Sequence, residues 1–279
     1  MSGTLYVVAT PIGNLEDITF RALRVLREVA VIAAEDTRRT ARLLQHYSIS
    51  TPTTSLHEHN ERMRTPGLIS RLRAGESVAL VSDAGTPLIS DPGTLLVAAA
   101  HEAGIRVEPI PGPSALMAAV SGSGLAAEQT LFVGFPPSRA IDRERWLMGL
   151  KDEPRLLVLY EAPHRIRETL ADMLSILGDR TIALGRELTK AHEELVIRPI
   201  TMHLKAMREP RGEYTVVVAP ATSQKPDELL PSPEVLLAEF AQMTETGTGS
   251  RRQTVRALAE KYHVATRRMY QLLEEARHD

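Results

Sequence analysis

The chain has 279 residues, 43% hydrophobic and 24% charged, which is enough apolar material for a large core and for division into domains. Its formal net charge of -2 supplies no overall attraction to nucleic acid, so any such contact must come from a local basic patch. The absence of cysteine excludes disulfides, thiolate nucleophiles, iron–sulfur clusters and cysteine zinc sites, and fits a reducing, cytoplasmic location. The opening "MSGTLYVVATPIGN" lacks a basic segment followed by an apolar one, and runs such as "LLVAAA" are too short to span a bilayer. No membrane partner is expected.

In chain order, "TLYVVAT" reads as a strand and "DITFRALRVLRE" as a helix with Asp17 as its N-cap. "VAVIAAE" reads as a strand and "TRRTARLLQHY" as a helix. "SVALVS", a long loop, "TLLVAAAHEAG" and "IRVEPIP" repeat the order of strand, loop, helix and strand, which predicts an α/β domain with a largely parallel sheet over residues 1–119. Five further strand candidates, "TLFVGF", "RLLVLYE", "TIALGREL", "EELVIRPI" and "GEYTVVVAP", with fewer helices between them, predict a second α/β domain over 120–221. Pro, Ser and charge without periodicity mark 222–233 as a linker.

Residues 234–279 have helical spacing, with Val255, Leu258, Ala259 and Tyr262 on one face and Met269, Leu272, Leu273 and Ala276 on the next. "ALAEKYHVATRRMYQLL" fits a helix-turn-helix, with His263 at the turn position that is usually Gly. Seven Arg or Lys stand against four acidic side chains from Ser250 to Asp279. Two readings fit: a nucleic-acid face using Arg251, Arg252, Arg267 and Arg268, or a helical cap serving the fold or a dimer.

The segment "LVSDAGTPLISDPG" places Asp83, Ala84 and Gly85 just past a strand's C-terminal end and before a helix, where open α/β sheets bind ligands. It is longer than an ordinary strand-to-helix connection and its turn chemistry is doubled, which favours a ligand over a plain turn. No phosphate-binding Gly-x4-Gly-Lys-Ser/Thr run exists, which excludes a P-loop nucleotidase. "GSGLAA" matches a dinucleotide fingerprint in letters only, because a helix rather than a strand precedes it. His57 and His59 in "LHEHNER" have no evident third ligand, so no metal is expected. "AAEDTRRTARLL" sets Glu35 and Asp36 at a strand end with Arg38, Arg39 and Arg42 entering a helix, either as a capping cluster or as functional charge at the sheet edge.

"VVATPIGNLEDIT", "AAEDTRRT", "LVSDAGTPLISDPG", "EPIPGPSA", "LYEAPHR", "GRELTKAHEE" and "GEYTVVV" occur in this order. Together they resemble the ribosomal-RNA 2'-O-methyltransferase branch of the tetrapyrrole methylase superfamily, over about residues 4–220. The resemblance implies two α/β domains with S-adenosylmethionine in the cleft between them, usually in a homodimer. It places Pro11, Gly13, Asp83, Ala84, Gly85, Pro87, Ser114, Ala115, Tyr160, Gly212, Glu213 and Tyr214 at the cofactor. Asn14 stands where porphyrin-modifying members carry Asp, which argues against a tetrapyrrole substrate.

The implied reaction is methylation of a ribose 2'-hydroxyl in 16S ribosomal RNA, at a cytidine of the decoding region, free or within the small ribosomal subunit. Such a transfer needs alignment and a late proton acceptor. Asp36 backed by Glu35 is the expected base, Arg38 the expected phosphate holder, with Asn14 nearby, Arg39 and Arg42 on the RNA, and Lys190 and Glu161 as reserves. The rival readings are a small-molecule sensor with a DNA-binding tail, and a tetrapyrrole methylase.

Overall fold

The computed structural model describes residues 2–125, 128–221, 231–246, 251–262, 264 and 266–276. It divides into two compact units, Met1–Pro220 and Ala221–Asp279.

In the first unit, β1 (Thr4–Val8), β2 (Val31–Ala34), β3 (Thr53–Ser55), β4 (Val78–Val81) and β5 (Arg106–Ile110) form a parallel sheet in the order β3-β2-β4-β1-β5. Every residue of β2 and β4 is buried, because helices cover both faces of a parallel sheet. One face packs on α1 (Phe20–Glu28) and α2 (Thr37–His46), around Val25, Leu26, Ile32, Leu43 and Val81. The other packs on α3 (Glu61–Arg73) and α4 (Thr94–Glu102), around Leu5, Leu68, Leu72, Leu80 and Leu96. Each fully buried Leu or Ile there stabilises the fold by about 1.5–3 kcal/mol.

The helix expected to start at Asp17 starts later. Asn14 Oδ1 accepts the Glu16 N–H and closes a short 3-10 turn over Leu15–Asp17, and Thr19 Oγ1 then caps α1 by accepting the Ala22 N–H. β3 and α3 had no counterpart in the sequence reading. α3 carries Pro66 and Gly67 inside it, which hide its period, yet Thr65, Leu68, Ile69 and Leu72 are buried along it.

β6 (Thr130–Phe132), β7 (Leu156–Glu161), β8 (Thr181–Arg186), β9 (Glu194–Pro199) and β10 (Tyr214–Val218) make a mixed sheet in the order β6-β7-β10-β8-β9, parallel only between β6 and β7. All five strands match the expected runs. One face carries α6 (Ala140–Met148), α7 (Ile166–Leu177) and α8 (Ile200–Ala206), around Leu147, Leu170, Met173 and Ile200. α5 (Ala115–Ser123) covers the other face with Ala119 against Val158, Ala183 and Val217. The expected boundary at 119/120 therefore falls inside a helix of the second sheet's core, and "GSGLAA" begins in that helix, which Gly124 ends in the left-handed conformation.

The second unit packs α9 (Pro233–Thr246), α10 (Arg251–Lys261) and α11 (Thr266–Glu275) around Leu236, Phe240, Val255, Leu258, Ala259, Met269 and Leu273. Of the faces expected from spacing, Val255, Leu258, Ala259, Tyr262, Met269 and Leu273 pack in this cluster, and Leu272 and Ala276 lie outside it. His263 and most of the expected linker lie outside the described residues. Among the described residues no helix is long and apolar enough to cross a membrane.

Candidate active site

Parallel strands bring their C-terminal ends to one edge, and the loops after β1, β2 and β4 meet there. The first and third are pinned by a two-bond bridge: the Thr10 N–H donates to Gly85 O at 2.8 Å and the Gly85 N–H to Thr10 O at 2.9 Å. Gly85 holds φ +78°, and an added Cβ would lie 3.3 Å from the Ile12 Cγ2, so this turn favours Gly on both backbone and space.

The carboxylates at the edge brace one another's strands. Asp83 donates its N–H to Glu35 Oε2 at 3.2 Å, and Asp36 donates its N–H to Asp83 Oδ1 at 2.9 Å. Burial raises the Glu35 carboxyl, and the charge of Asp83 adds in the same direction against that hydrogen bond. Asp91, on the same loop as Gly85, is pushed up to about 6 by burial despite a hydrogen bond from Ser82, with Glu35 and Asp83 repelling its charge.

Asp36 departs from its expected role. Its Oδ1 caps α2 by accepting the Arg38 N–H, and both carboxylate oxygens take the Arg38 guanidinium, at 3.0 and 2.9 Å. That contact holds its carboxyl down at about 2, which makes it a weak proton acceptor. Arg38 pairs with the same carboxylate and is otherwise exposed. The two reserves are engaged as well. Buried Glu161 takes Arg165 and the Thr169 hydroxyl, and Lys190 bonds Glu187 at 2.9 Å and Glu213 at 3.0 Å.

A cavity of about 490 Å³ opens between the two sheets of the first unit. The parallel sheet contributes Glu35, Arg39, Asp83, Ala84, Gly85 and Asp91 to its wall; Ser114, Ala115, Tyr160, Glu213 and Tyr214 come from α5 and the second sheet. Tyr160 Oη accepts the Leu116 N–H at 3.2 Å, which ties β7 to the start of α5, and its ring packs on Phe132 and Phe135. A smaller cavity of about 350 Å³ shares Ile12, Arg39, Asp83, Ala84, Lys190 and Glu213 with the first, and adds Pro11, Gly13 and Arg42.

Asn14, Pro87, Asp36, Arg38 and Gly212 line neither cavity. Gly13 and Gly212 act by close approach: a Cβ on Gly13 would sit 2.4 Å from the Lys190 Cγ, and one on Gly212 2.4 Å from the Glu187 side chain. Asn14 joins that contact by donating its N–H to Thr189 Oγ1 at 3.0 Å. Sequence reasoning missed Asp91, Ile12, Phe135, Glu187 and Leu188. One signal was present, since Asp91 is the second Asp of "SDAGTPLISDPG".

Backbone strain gathers at the same place. Of the five non-glycine residues with positive φ among those described, Leu88, Ser90, Glu187 and Thr189 lie in two loops of the cavity wall, after β4 and after β8. Such conformations cost about 1–3 kcal/mol each and collect at ligand sites. The cavity size suits a drug-sized or cofactor ligand. Glu35, Asp83 and Asp91 on one wall, beside apolar Ile12, Ile89, Phe135 and Leu188, suit a ligand that is cationic at one end and apolar at the other. Among the described residues no His, Asp and Glu group is arranged to hold a metal, and His57 instead meets Asn60 Nδ2 at 3.0 Å through its Nε2.

Residues 4–202 match the family Tetrapyrrole (Corrin/Porphyrin) Methylases. The chain is 46% identical to the ribosomal RNA small subunit methyltransferase I of Synechocystis over 99% of both chains. It is 53% identical to the protein of that name from Pseudomonas aeruginosa, covering 78% of this chain and 79% of the relative. The chain belongs to the tetrapyrrole methylase family, on its ribosomal RNA small subunit methyltransferase I branch.

Solved structures agree on the fold. Uroporphyrin-III-C-methyltransferase from Thermus thermophilus superposes with a TM-score of 0.57 at 23% identity, covering 82% of this chain and all of that one. A diphthine synthase gives 0.58 at 15% identity, over 78% of this chain and 90% of that one. Another structure of the Thermus enzyme, complexed with S-adenyl homocysteine, gives 0.56 at 21% identity, over 78% of this chain and 97% of that one. At these identities the likeness is one of fold.

Proposed function

We propose that this methylase transfers the methyl group of S-adenosylmethionine to a ribose 2'-hydroxyl of 16S ribosomal RNA, at a cytidine of the decoding region. The observation that carries the reading is the pair of adjoining cavities, one acidic and half apolar, one rimmed by Arg39 and Arg42, in a chain whose full-length relative is named a ribosomal RNA methyltransferase. When bound, the donor supplies an electrophilic methyl on a sulfonium.

Glu35, Asp83 and Asp91 would face that positive charge, and Ala84 and Gly85 would let the donor lie against backbone. Ser114, Ala115 and Tyr160 close the opposite wall. Arg42 is exposed at the smaller cavity and suits an RNA phosphate next to the target ribose; Arg39 does so while also pairing with Asp83 at 3.3 Å. The hydroxyl then reaches the donor through the side shared by both cavities. We assign the proton-accepting role to Glu35 rather than Asp36, because its carboxyl is raised by burial and lines the larger cavity. Most of the acceleration rests on alignment and exclusion of water.

Mass mapping of 16S ribosomal RNA from cells lacking the protein tests the reading. One ribose methyl, on a decoding-region cytidine, is expected to disappear and to return with the wild-type chain. An unchanged map rejects ribosomal RNA as the substrate, and loss of a base methyl rejects the ribose.

A further inference from the structure

The second sheet carries a group of cations that methyl transfer does not use. On the face that packs α7 and α8, a cavity of about 240 Å³ is lined by Arg186, Arg198 and Arg208, with Val196, Met207 and Tyr214 forming apolar wall. The ladder explains why two of these arginines share it. Arg198 lies opposite Ile182 and Arg186 opposite Glu194, so both side chains leave the same face of β8 and β9. Their backbone positions are roughly 13 Å apart along the strands, a gap that two long side chains can span.

Three arginines against two carboxylates leave this lining with an excess of positive charge. The Nε–H groups of Arg186 and Arg198 are both buried, and neither has an acceptor among the described residues. A buried donor on a charged group without a partner is unfavourable, and here two such groups belong to arginines that line one cavity. The two nearby carboxylates are engaged: Glu194 pairs with Arg186 at 3.3 Å and Glu209 with Arg211 at 2.9 Å. Burial holds the His203 pKa below its ordinary value, and the charge of Arg198 pushes the same way.

We propose that this cavity binds a phosphate ester, its oxyanion held by Arg198 and Arg186 and closed over by Arg208. Guanidinium forks match tetrahedral oxyanions, and the apolar wall beside them receives the ester's organic part. The cavity exceeds what a bare carboxylate would fill. The ester is either a phosphodiester of bound RNA or a free phosphate compound, and the two differ in what competes. The site stands independently of the methyl-donor assignment.

The test is calorimetric titration of the intact chain with inorganic phosphate and, separately, with a short single-stranded oligoribonucleotide. Arg198→Met should weaken phosphate binding roughly ten- to hundredfold while leaving S-adenosylmethionine binding unchanged. Arg208→Ala, on an exposed loop, should weaken it less and carries the test if Arg198→Met does not fold. A parallel fall in oligoribonucleotide affinity assigns the site to the RNA backbone, and an unchanged one assigns it to a free phosphate compound. The proposal is overturned if the wild type binds no phosphate, or if its phosphate affinity is the same in the folded variants.

Discussion

Glu35 and Asp91 on one wall of the larger cavity and Glu161 and Glu187 on the other are held in opposite ways. On the parallel-sheet side, Glu35 and Asp91 are held by a backbone N–H and a hydroxyl, are raised by burial and repel one another. On the mixed-sheet side, Glu161 and Glu187 face cations, Arg165 and Lys190, at hydrogen-bonding distance. A carboxylate braced by neutral donors keeps its negative charge available to a ligand, whereas one matched to a guanidinium or ammonium has spent it within the fold. Asp36 follows the second pattern although it belongs to the parallel-sheet side, next in sequence to Glu35, and it lines neither cavity. Position at a strand end is therefore a poorer guide to chemistry than the partner that holds the group.

The largest effect that would sharpen this contrast is on Glu35. Glu35→Gln keeps an oxygen to accept the Asp83 N–H but cannot take a proton, and should lower the single-turnover methylation rate at saturating donor by about 10²–10⁴-fold, a larger factor than its effect on donor affinity. A wild-type rate would remove Glu35 from the chemistry. Next comes the tail. Replacing Arg251, Arg252, Arg267 and Arg268 with Ala should weaken binding of the small ribosomal subunit and flatten its salt dependence by about 0.7–0.9 log unit per lost contact. Two of the four start from ion pairs within the unit, Arg251 with Glu274 at 3.3 Å and Arg268 with Glu275 at 3.5 Å. An unchanged slope with a disrupted oligomer would make the tail an assembly element.

A smaller effect belongs to Asp91, whose carboxyl is raised from 3.8 to about 6 by burial. The folded state holds its proton more tightly than the unfolded chain, so this stabilisation is complete below the unfolded value and is lost as pH rises through about 6. Asp91→Asn should consequently gain about 1 kcal/mol over wild type near pH 8, after allowance for its partial exposure, and nothing below about pH 4. Denaturant titration at the two pH values measures the difference, and equal stabilities at both would remove the buried-charge argument. The smallest change is expected for Asp36→Asn. Asn caps a helix about as well as Asp, so the single-turnover rate should stay within a few-fold of wild type. A hundredfold loss would return the base to Asp36 and break the comparison between the walls.

The elements that sequence disclosed are those whose period was unbroken and whose ends carried turn chemistry. "VIAA" and "VALV" are buried strands by composition alone, and the five strands of the mixed sheet stand out between polar loops. α3 was hidden because Pro66 and Gly67 interrupt it, and burial on the core overrides that local preference. At the site, the Asp83-Ala84-Gly85 turn was legible from its place after β4, whereas the division of labour between Glu35 and Asp36 was not. Adjacent carboxylates look alike in sequence. Only the geometry shows that one caps a helix and pairs with Arg38 while the other is turned to the cavity. Gly13 and Gly212 were legible as important glycines, but their reason, close approach to Lys190 and Glu187 from a distant part of the chain, is a tertiary fact.

The central claim is that the cavity between the two sheets holds the methyl donor against the Gly85 turn. Calorimetric titration of S-adenosylmethionine into the wild type and into Gly85→Val tests it most directly. Gly85 holds φ +78°, and its Cβ position lies 3.3 Å from the Ile12 side chain, so a branched residue displaces the turn and its bridge to Thr10. The wild type should bind one donor per chain, and Gly85→Val should unfold cooperatively on heating yet bind no measurable donor. A folded Gly85→Val that binds the donor with wild-type affinity would contradict the placement of the donor in this cavity.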